Sequence, residues 1–371
     1  MTDPIRKALL ASTTLAVVLI LGIGCAEGGF QNFHERELRL SMAGRGDPWS
    51  HMTQDSKLVL LALHEGLSKE GIQNAVGMDR EALEAEFDRL EAVGLLRVQE
   101  DRYFPDFFIA NRAEAAAAYA HSRETGIFLA QEALTRWEDL EAAFAGLVIS
   151  TDHSLHDLGF FLVGGRILDM GMLAALVEEG SLLDHAPARP SPERPDGRYY
   201  FWGVEGDPDL LGRYGENTTS LGDTKWSFAT FGANYLDGKP NGPRNEMEDR
   251  FNKLLEANPE GSPTFFSQEF CLPFLTLEDS GLWAQTSENL SRVLVTRLLE
   301  AGPDIPSFFR TLGAGDYAPD RLPEFVIWYY HLTYAWAIDH LIEEGVIARP
   351  PDEFLAMVLY LEDEGGVLKG F

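Results

Sequence analysis

One stretch of the chain, GMDREALEAEFDRLEAVGLLRV from Gly77 to Val98, constrains the fold more than any other. Gly77 can adopt the positive φ that ends a preceding helix, and Asp79 can cap the first turn of the next one. Three apolar side chains then recur at intervals of four and three residues and share one helix face: Leu83, Phe87 and Leu90. Gly94 follows as a stop signal. The pattern therefore predicts a short amphipathic helix between two glycine turns.

The neighbouring segments predict further helices and strands of the same domain. SKLVLLALHEG and SKEGIQNAV favour two short helices before this one, and LLRVQEDRYFPDFFIA favours two strands after it. This order, with the spacing from Ile72 through Gly77 to Leu83 and Gly94, resembles the winged helix-turn-helix domains of bacterial regulators of the ArsR and MarR type over residues 55–110. The resemblance implies a third helix that enters the major groove of DNA.

The charge of the same segment opposes DNA binding. Residues 79–93 contain six acidic and two basic side chains, which gives −4, and residues 55–110 contain twelve acidic and six basic side chains, which gives −6. The whole chain has a formal net charge of −29. Because affinity for phosphate backbones comes from Lys and Arg side chains that displace counterions, we do not expect nucleic acid as a partner.

The N-terminus has the pattern of an export signal. Arg6 and Lys7 precede an apolar run over residues 8–24, and Cys25 follows it. The sequence LGIGC resembles a bacterial lipoprotein signal, which implies lipidation at Cys25. We therefore expect residues 1–25 to be a signal peptide or a membrane anchor, with the rest of the chain outside the cytoplasm.

Composition divides the remainder. Residues 26–54 lack periodicity and predict a linker, and residues 111–185 are rich in helix formers and predict a helical connector. Prolines between residues 186 and 198 indicate a boundary. Residues 199–371 predict a mainly helical C-terminal domain with a small sheet, built from RYYFWGVEG and KWSFATFGANY on either side of a loop. The fold class expected is mainly α with minor β (α+β), a winged-helix module followed by a larger helical domain.

Few residues suggest chemistry. The chain lacks GxxxxGK[ST], GxGxxG, HExxH and GxSxG, and no cofactor is expected. The segment DHSLHD contains four potential metal ligands at helical spacing: Asp152, His153, His156 and Asp157. The alternative interpretation is an ordinary helix N-terminus in which Asp152 is the cap.

The segment EFVIWYYHLTYAWAIDHLI has aromatic side chains around nearly its whole circumference. Such a helix is either the core of the C-terminal domain or one wall of a small-molecule pocket. The pocket hypothesis combines this helix with two tryptophans of the strand region, and its candidate residues are Trp202, Trp226, His331, Tyr334 and Trp336.

Three hypotheses about function follow. The first is a non-enzymatic, membrane-tethered binding or sensing protein that uses a winged-helix scaffold for contact with a protein partner or a small organic ligand. The second is a cytoplasmic, ligand-responsive regulator whose translation starts at Met52. The third is an enzyme whose site assembles from scattered groups: Asp152, His156, Asp339 and His340.

Overall fold

The computed structural model describes residues 33–361 with gaps at 191–193, 221–225, 234, 237–238, 241, 259–264, 266–267, 270–271 and 351–354. Helices dominate these residues. They are α1 (Gln54–His64), α2 (Lys69–Val76), α3 (Arg80–Ala92), α4 (Arg112–Leu134), α5 (Trp137–Ala145), α6 (Leu155–Gly159), a π-helix (Phe160–Gly171), α7 (Met172–Glu179), α8 (Gly242–Ala257), α9 (Leu277–Ala301), α10 (Ile305–Phe309), α11 (Gly313–Tyr317) and α12 (Leu322–Glu343).

The strands are short and form small sheets. They are β1 (Leu38–Arg45), β2 (Leu96–Gln99), β3 (Arg102–Pro105), β4 (Phe108–Ala110), β5 (Arg198–Glu205), β6 (Tyr214–Ser220), β7 (Trp226–Ala233), β8 (Tyr235–Leu236), β9 (Lys239–Pro240), β10 (Phe274–Leu275) and β11 (Leu355–Leu361). Neighbouring strands follow the orders β1-β5-β4, β10-β11-β7-β6, β2-β3 and β8-β9. The fold is mainly α with minor β, as the sequence predicted.

The N-terminal module, which we define as α1–α3 and the β2–β3 hairpin, has the predicted elements. The Asp79 carboxylate accepts a hydrogen bond from the backbone N–H of Ala82 at 2.8 Å, so Asp79 caps α3. Gly77 and Gly94 have φ of 72° and 69°, the left-handed conformation that glycine adopts most easily. Local capping and turn signals therefore fixed the ends of α3.

The prediction of a linker over residues 26–54 is wrong for residues 38–45, which form β1. This strand pairs antiparallel with β5 from Leu38 opposite Glu205 to Arg45 opposite Arg198. Leu38 and Leu40 are buried in the core of the N-terminal module. Their alternation with Arg39 and Ser41 is the two-residue period of a strand with one buried face.

The division at residues 185–199 also differs from the packing. One hydrophobic core fills the N-terminal module, and a second core includes residues from both the predicted connector and the predicted C-terminal domain. Helices α4 and α12 approach closely, because a Cβ placed on Gly126 would lie 2.5 Å from the carbonyl oxygen of Thr333. The connector and the C-terminal part are therefore packed as one body.

Strand β5 joins the two cores. Its side chains alternate between them: Tyr199 and Phe201 pack in the core of the N-terminal module, whereas Tyr200, Trp202 and Val204 pack in the larger core. Successive side chains of a strand point to opposite faces, so one strand can serve two cores. The same segment that the sequence assigned to the C-terminal domain thus belongs to both.

The apolar segment after residue 154 forms α6, the π-helix and α7 in succession. A Cβ on Gly164 would lie 2.9 Å from the Phe231 ring, so glycine permits the π-helix to pack directly against β7. Residues 155–179 are long and apolar enough to cross a membrane, but 72% of their most apolar window is buried inside the protein. Burial of this kind is typical of a core helix.

Candidate functional site

Three of the five predicted pocket residues lie together in the larger core. The Trp202 and His331 rings have centroids 5.4 Å apart, and the His331 and Tyr334 rings are also 5.4 Å apart. Trp202 and Tyr334 are fully buried, and a ring nitrogen of His331 lies 2.6 Å from the carbonyl oxygen of Ile327. These side chains pack against one another as a core does.

Of the other two predicted pocket residues, Trp336 lies apart from this cluster. Trp336 lies beside Tyr119 of α4, with ring centroids 4.9 Å apart, and the guanidinium of Arg213 lies 4.7 Å from the centre of its ring. The backbone of Trp226 pairs with Leu361 in the sheet, and its side chain lies outside the described residues. Cys25, the predicted lipidation site, lies outside them as well.

The predicted metal ligands begin a helix. The Ser154 hydroxyl, and not the Asp152 carboxylate, accepts the capping hydrogen bond from the backbone N–H of Asp157 at 3.2 Å. A ring nitrogen of His156 lies 3.3 Å from the Asp157 carboxylate, and both side chains are exposed. His153 is partly buried. Across the described ranges, no group of three or more His, Cys, Asp and Glu side chains could hold a metal ion.

A concentration of buried charge lies between the π-helix and β6. Arg166 Nη1 is 3.0 Å from Glu216 Oε1, and the backbone N–H of Glu216 donates to Asp169 Oδ2 at 3.1 Å. Burial, together with the charge of Glu216, raises the pKa of Asp169 well above its ordinary value. Burial also raises the pKa of Glu216, although the positive charge of Arg166 acts to lower it. We call these three residues the buried charge cluster.

Aromatic hydroxyls extend polar contacts along α12. Tyr330 donates to the carbonyl oxygen of Leu168 at 2.5 Å, and Tyr334 donates to the carbonyl oxygen of Tyr214. The Tyr214 hydroxyl donates in turn to Asp339 Oδ1 at 2.7 Å. Arginine, tyrosine and carboxylate groups therefore form a polar layer inside an otherwise apolar core, which is costly unless each group is paired.

A second polar junction joins the N-terminal module to the rest of the protein. His64, at the end of α1, lies with Nε2 2.6 Å from Glu114 Oε2 and with Nδ1 2.9 Å from the Tyr317 hydroxyl. Glu114 also accepts from the backbone N–H of Gly313 at 2.6 Å and from that of Asn111 at 2.9 Å. The junction thus connects α1, α4 and α11.

The β2–β3 hairpin is docked at the same place. The Phe104 and Tyr317 rings stack with centroids 5.1 Å apart and an interplanar angle of 17°. Arg97 donates to the carbonyl oxygen of Tyr317 at 2.8 Å and reaches the Asp320 carboxylate at 3.0 Å. The hairpin is therefore held against residues 317–320 through Arg97 and Phe104, whereas residues 98–102 at its turn are exposed.

The exposed face of α3 is acidic. Glu81 and Asp88, seven residues apart, lie on one exposed face, and Glu91 is exposed near the end of the helix. Of the two arginines in α3, Arg89 turns back to the Ser56 hydroxyl and to the carbonyl oxygen of His51. Only Arg80 adds positive charge to the outer surface of α3.

Sequence reasoning missed the buried charge cluster. Arg166 and Asp169 are the two charged residues within the apolar segment after residue 157, and a charge in such a segment needs a buried partner. The need for a buried partner of Arg166 and Asp169 could therefore be inferred from the sequence. No such signal marked Glu216, because it lies in a segment that the sequence assigned to a loop and the structure assigns to β6.

Comparison with known proteins bears on the N-terminal module. A family model described as "Domain of unknown function (DUF8579)" matches residues 51–103, which include α1–α3 and most of the hairpin. No curated protein and no solved structure matches the chain. The matched residues correspond to the N-terminal module that the sequence predicts and that the structure contains. The description of the family names no activity.

Proposed function

We propose that this chain is a non-enzymatic, membrane-tethered binding or sensing protein whose winged-helix-like module acts through protein contact. The observation that carries the proposal is the docked hairpin. Phe104 and Arg97 engage Tyr317, so the element that would lie along DNA in a winged helix already contacts protein within the same chain.

The surface of α3 supports the same conclusion. A helix that enters the major groove needs positive charge toward the phosphates and donors toward the base edges. Glu81, Asp88 and Glu91 present carboxylates instead, and Glu84 is occupied by Lys69, whose Nζ lies 2.8 Å away. Such a face repels nucleic acid and suits a partner with complementary positive charge.

Strand β1 bears on whether translation starts upstream of Met52 and thus includes the predicted N-terminal anchor. Translation from Met52 would remove β1, which pairs with β5 and buries Leu38 and Leu40. It would also remove Arg36, whose guanidinium lies 2.6 Å from the buried Glu205 carboxylate. The segment upstream of Met52 therefore contributes to the fold, which supports the longer chain and, with it, an N-terminal anchor at residues 1–25.

The enzyme hypothesis finds less support. The Asp339 carboxylate is occupied by Tyr214 and by an ion pair with Arg213. His340 lies about 4 Å from the carboxylates of Glu343 and Glu344, and His156 lies beside Asp157 on an exposed surface. Each group is therefore engaged by neighbours of its own, and among the described residues none belongs to a set of three or more that could hold a metal ion.

Site-specific crosslinking in cells tests the proposal. A photoreactive amino acid at Ala85, exposed between Glu81 and Asp88, should form a discrete adduct with a protein. The charge reversals Glu81→Lys, Asp88→Lys and Glu91→Lys together should abolish that adduct, because they remove the complementary charge. The matched control reverses three exposed charges of α5: Glu138→Lys, Asp139→Lys and Glu141→Lys.

The outcomes separate the hypotheses. A protein adduct at position 85 that survives the α5 reversals but not the α3 reversals supports protein contact through α3. An adduct with nucleic acid would contradict the proposal, and so would an identical pattern from a photoreactive residue at the exposed control position Ala142.

A further inference from the structure

The chain is tied to the N-terminal module from Phe33 onward. Phe33, in a short 3-10 helix (Phe33–Glu35), packs against the core of the module, and the guanidinium of Arg36 lies 4.5 Å from the centre of its ring. Arg36 also donates to Glu205 Oε1 at 2.8 Å and to Glu65 Oε2 at 2.8 Å. Strand β1 then begins two residues after Arg36. These contacts fix the point at which the chain joins the module.

The proposed anchor at residues 1–25 leaves a short tether upstream of this point. Eight residue steps separate Cys25 from Phe33. Because one residue advances a fully extended chain by no more than about 3.5 Å, the tether spans at most about 28 Å. The membrane surface therefore lies within this distance of Phe33.

Helix α3 begins close to the end of the tether. A Cβ placed on Gly77, in the turn between α2 and α3, would lie 3.4 Å from His34 Nε2. Glu81, Asp88 and Glu91 follow Gly77 within the next fourteen residues. With a rise of about 1.5 Å per helical residue, all three lie within roughly 35 Å of His34. The anchor thus confines the acidic face of α3 to a layer beside the membrane.

The composition of this face limits its affinity for a partner. The structure describes every residue of α3, and none of its large apolar side chains is exposed. The exposed uncharged residues are all alanines: Ala82, Ala85 and Ala92. Exposed ion pairs stabilise a contact little, and salt weakens them further. A contact made by this face is therefore weak unless the partner is present at high local concentration.

Anchoring of both proteins in one membrane supplies that concentration. Two groups held within a short reach of each other behave as if each were concentrated, which strengthens a weak contact without any new interaction. A freely diffusing protein gains nothing of this kind from the tether. The lipid surface is a poorer occupant than a protein, because anionic headgroups repel carboxylates.

We propose that the partner of α3 is a Lys- and Arg-rich segment of a protein anchored in the same membrane. Glu81, Asp88 and Glu91 pair with the cations of that segment, and the short tether supplies the local concentration. The inference rests on the proposed function, because it requires the anchor at residues 1–25 and names the partner that α3 contacts.

Lengthening the tether tests the inference in the crosslinking experiment at Ala85. Eight Gly and Ser residues inserted after Gly29 double the tether from eight to 16 residue steps, and forty extend it to 48 steps. Because effective concentration falls roughly as the −3/2 power of tether length, the protein adduct should decrease about threefold and more than about tenfold, respectively. The same forty residues appended after Phe371 leave the tether unchanged and should leave the adduct unchanged.

Two further measurements accompany the yields. Mass spectrometry of the adduct should identify a Lys- and Arg-rich peptide from a protein with a membrane-spanning segment or a lipid anchor. Limited proteolysis should show that the inserted chains resist digestion as the parent does. If the forty-residue insertion fails to fold, the eight-residue insertion decides the test.

The outcomes separate the inference from the proposed function. A protein adduct whose yield is the same at every tether length, or whose partner has no membrane anchor, would overturn the inference and leave protein contact through α3 standing. Absence of any protein adduct in the parent would contradict the proposed function and, with it, the inference.

Discussion

The fold strongly alters the ionisation of Asp169, because burial raises its pKa. Its raised pKa means that the native state holds a proton that the unfolded chain releases above a pKa of about 3.9. The stabilisation from this proton is complete below the unfolded-state pKa and is lost as the pH rises through the raised native pKa. Native stability should therefore decline with pH at this residue.

Asp169→Asn isolates that effect. Asparagine keeps an oxygen that can accept from the Glu216 backbone N–H and cannot lose a proton. We expect the variant to gain stability relative to the parent as the pH rises, with the difference growing steadily upward from about pH 4. Urea unfolding at several pH values measures it. A difference that is independent of pH would contradict the raised pKa of Asp169.

Glu114 shows the opposite shift. Burial alone would raise its pKa, but the hydrogen bond and charge of His64, with backbone N–H donors from Asn111 and Gly313, lower the pKa overall. Its contribution to stability is therefore present above the unfolded-state pKa of about 4.3 and is lost as the pH falls through the lowered native value. The junction between the module and the helical core should weaken in acid.

Glu114→Gln tests this contribution. We expect a loss of about 1.5–3 kcal/mol at pH 7, the usual effect of removing a charged hydrogen-bond partner. The loss should shrink as the pH falls through the lowered native pKa of Glu114, where the native carboxylate also becomes protonated. Glu138→Gln, at an exposed position of α5, is the control and should change the free energy of unfolding by less than about 0.5 kcal/mol. Equal effects of the two substitutions would argue against the junction.

At the scale of elements, local signals were predictable and pairing partners were not. Gly77, Asp79 and Gly94 act on their own neighbours, so the ends of α3 followed from the sequence. The strand character of residues 38–45 depends on β5, which lies more than 150 residues away in the chain. Eight residues that include Gly44 and two arginines do not indicate such a partner, although the alternation of Leu38 and Leu40 with polar residues was a weak signal.

Leu38→Ala tests whether β1 is structural. Leu38 is fully buried in the core of the N-terminal module, so truncation should cost about 2–5 kcal/mol, as for other large-to-small core substitutions. Arg45→Ala at the exposed end of the same strand forms the control, because its ion pair with Asp196 is at the surface. If chemical denaturation finds Leu38→Ala as mild as Arg45→Ala, β1 is not part of the folded core.

The aromatic helix α12 combines two environments that composition could not separate. Tyr334 is fully buried, whereas Trp336 is partly exposed between Tyr119 and Arg213. Tyr334→Ala should therefore cost about 3–5 kcal/mol, and Trp336→Ala should cost less. Chemical denaturation of both variants compares them directly. A larger loss for Trp336→Ala would contradict the assignment of Tyr334 to the core.

At the scale of the whole molecule, the fold class was predictable because helical periodicity dominates the sequence. The division into domains was not, because packing joins segments that are distant in the chain. Strand β5 contributes Phe201 to one core and Trp202 to the other, which no local pattern reveals. The buried charge cluster also depends on such contacts, since Arg166 and Glu216 meet only when β6 packs against the π-helix.

The N-terminal module is thus built into the protein through β1, the hairpin and the His64 junction. Within the module, α3 presents exposed acidic side chains to the outside. This arrangement makes the docked hairpin the central element of our account, since Arg97 and Phe104 hold one side of the hairpin on residues 317–320.

Hydrogen–deuterium exchange of the full chain, with and without mixed-sequence duplex DNA at low salt, tests this most directly. We predict that the hairpin peptide 96–105 exchanges slowly, that Arg97→Ala accelerates its exchange, and that DNA changes exchange in neither this peptide nor α3. Rapid exchange of the hairpin in the free protein, slowed together with that of α3 when DNA is added, would contradict the account.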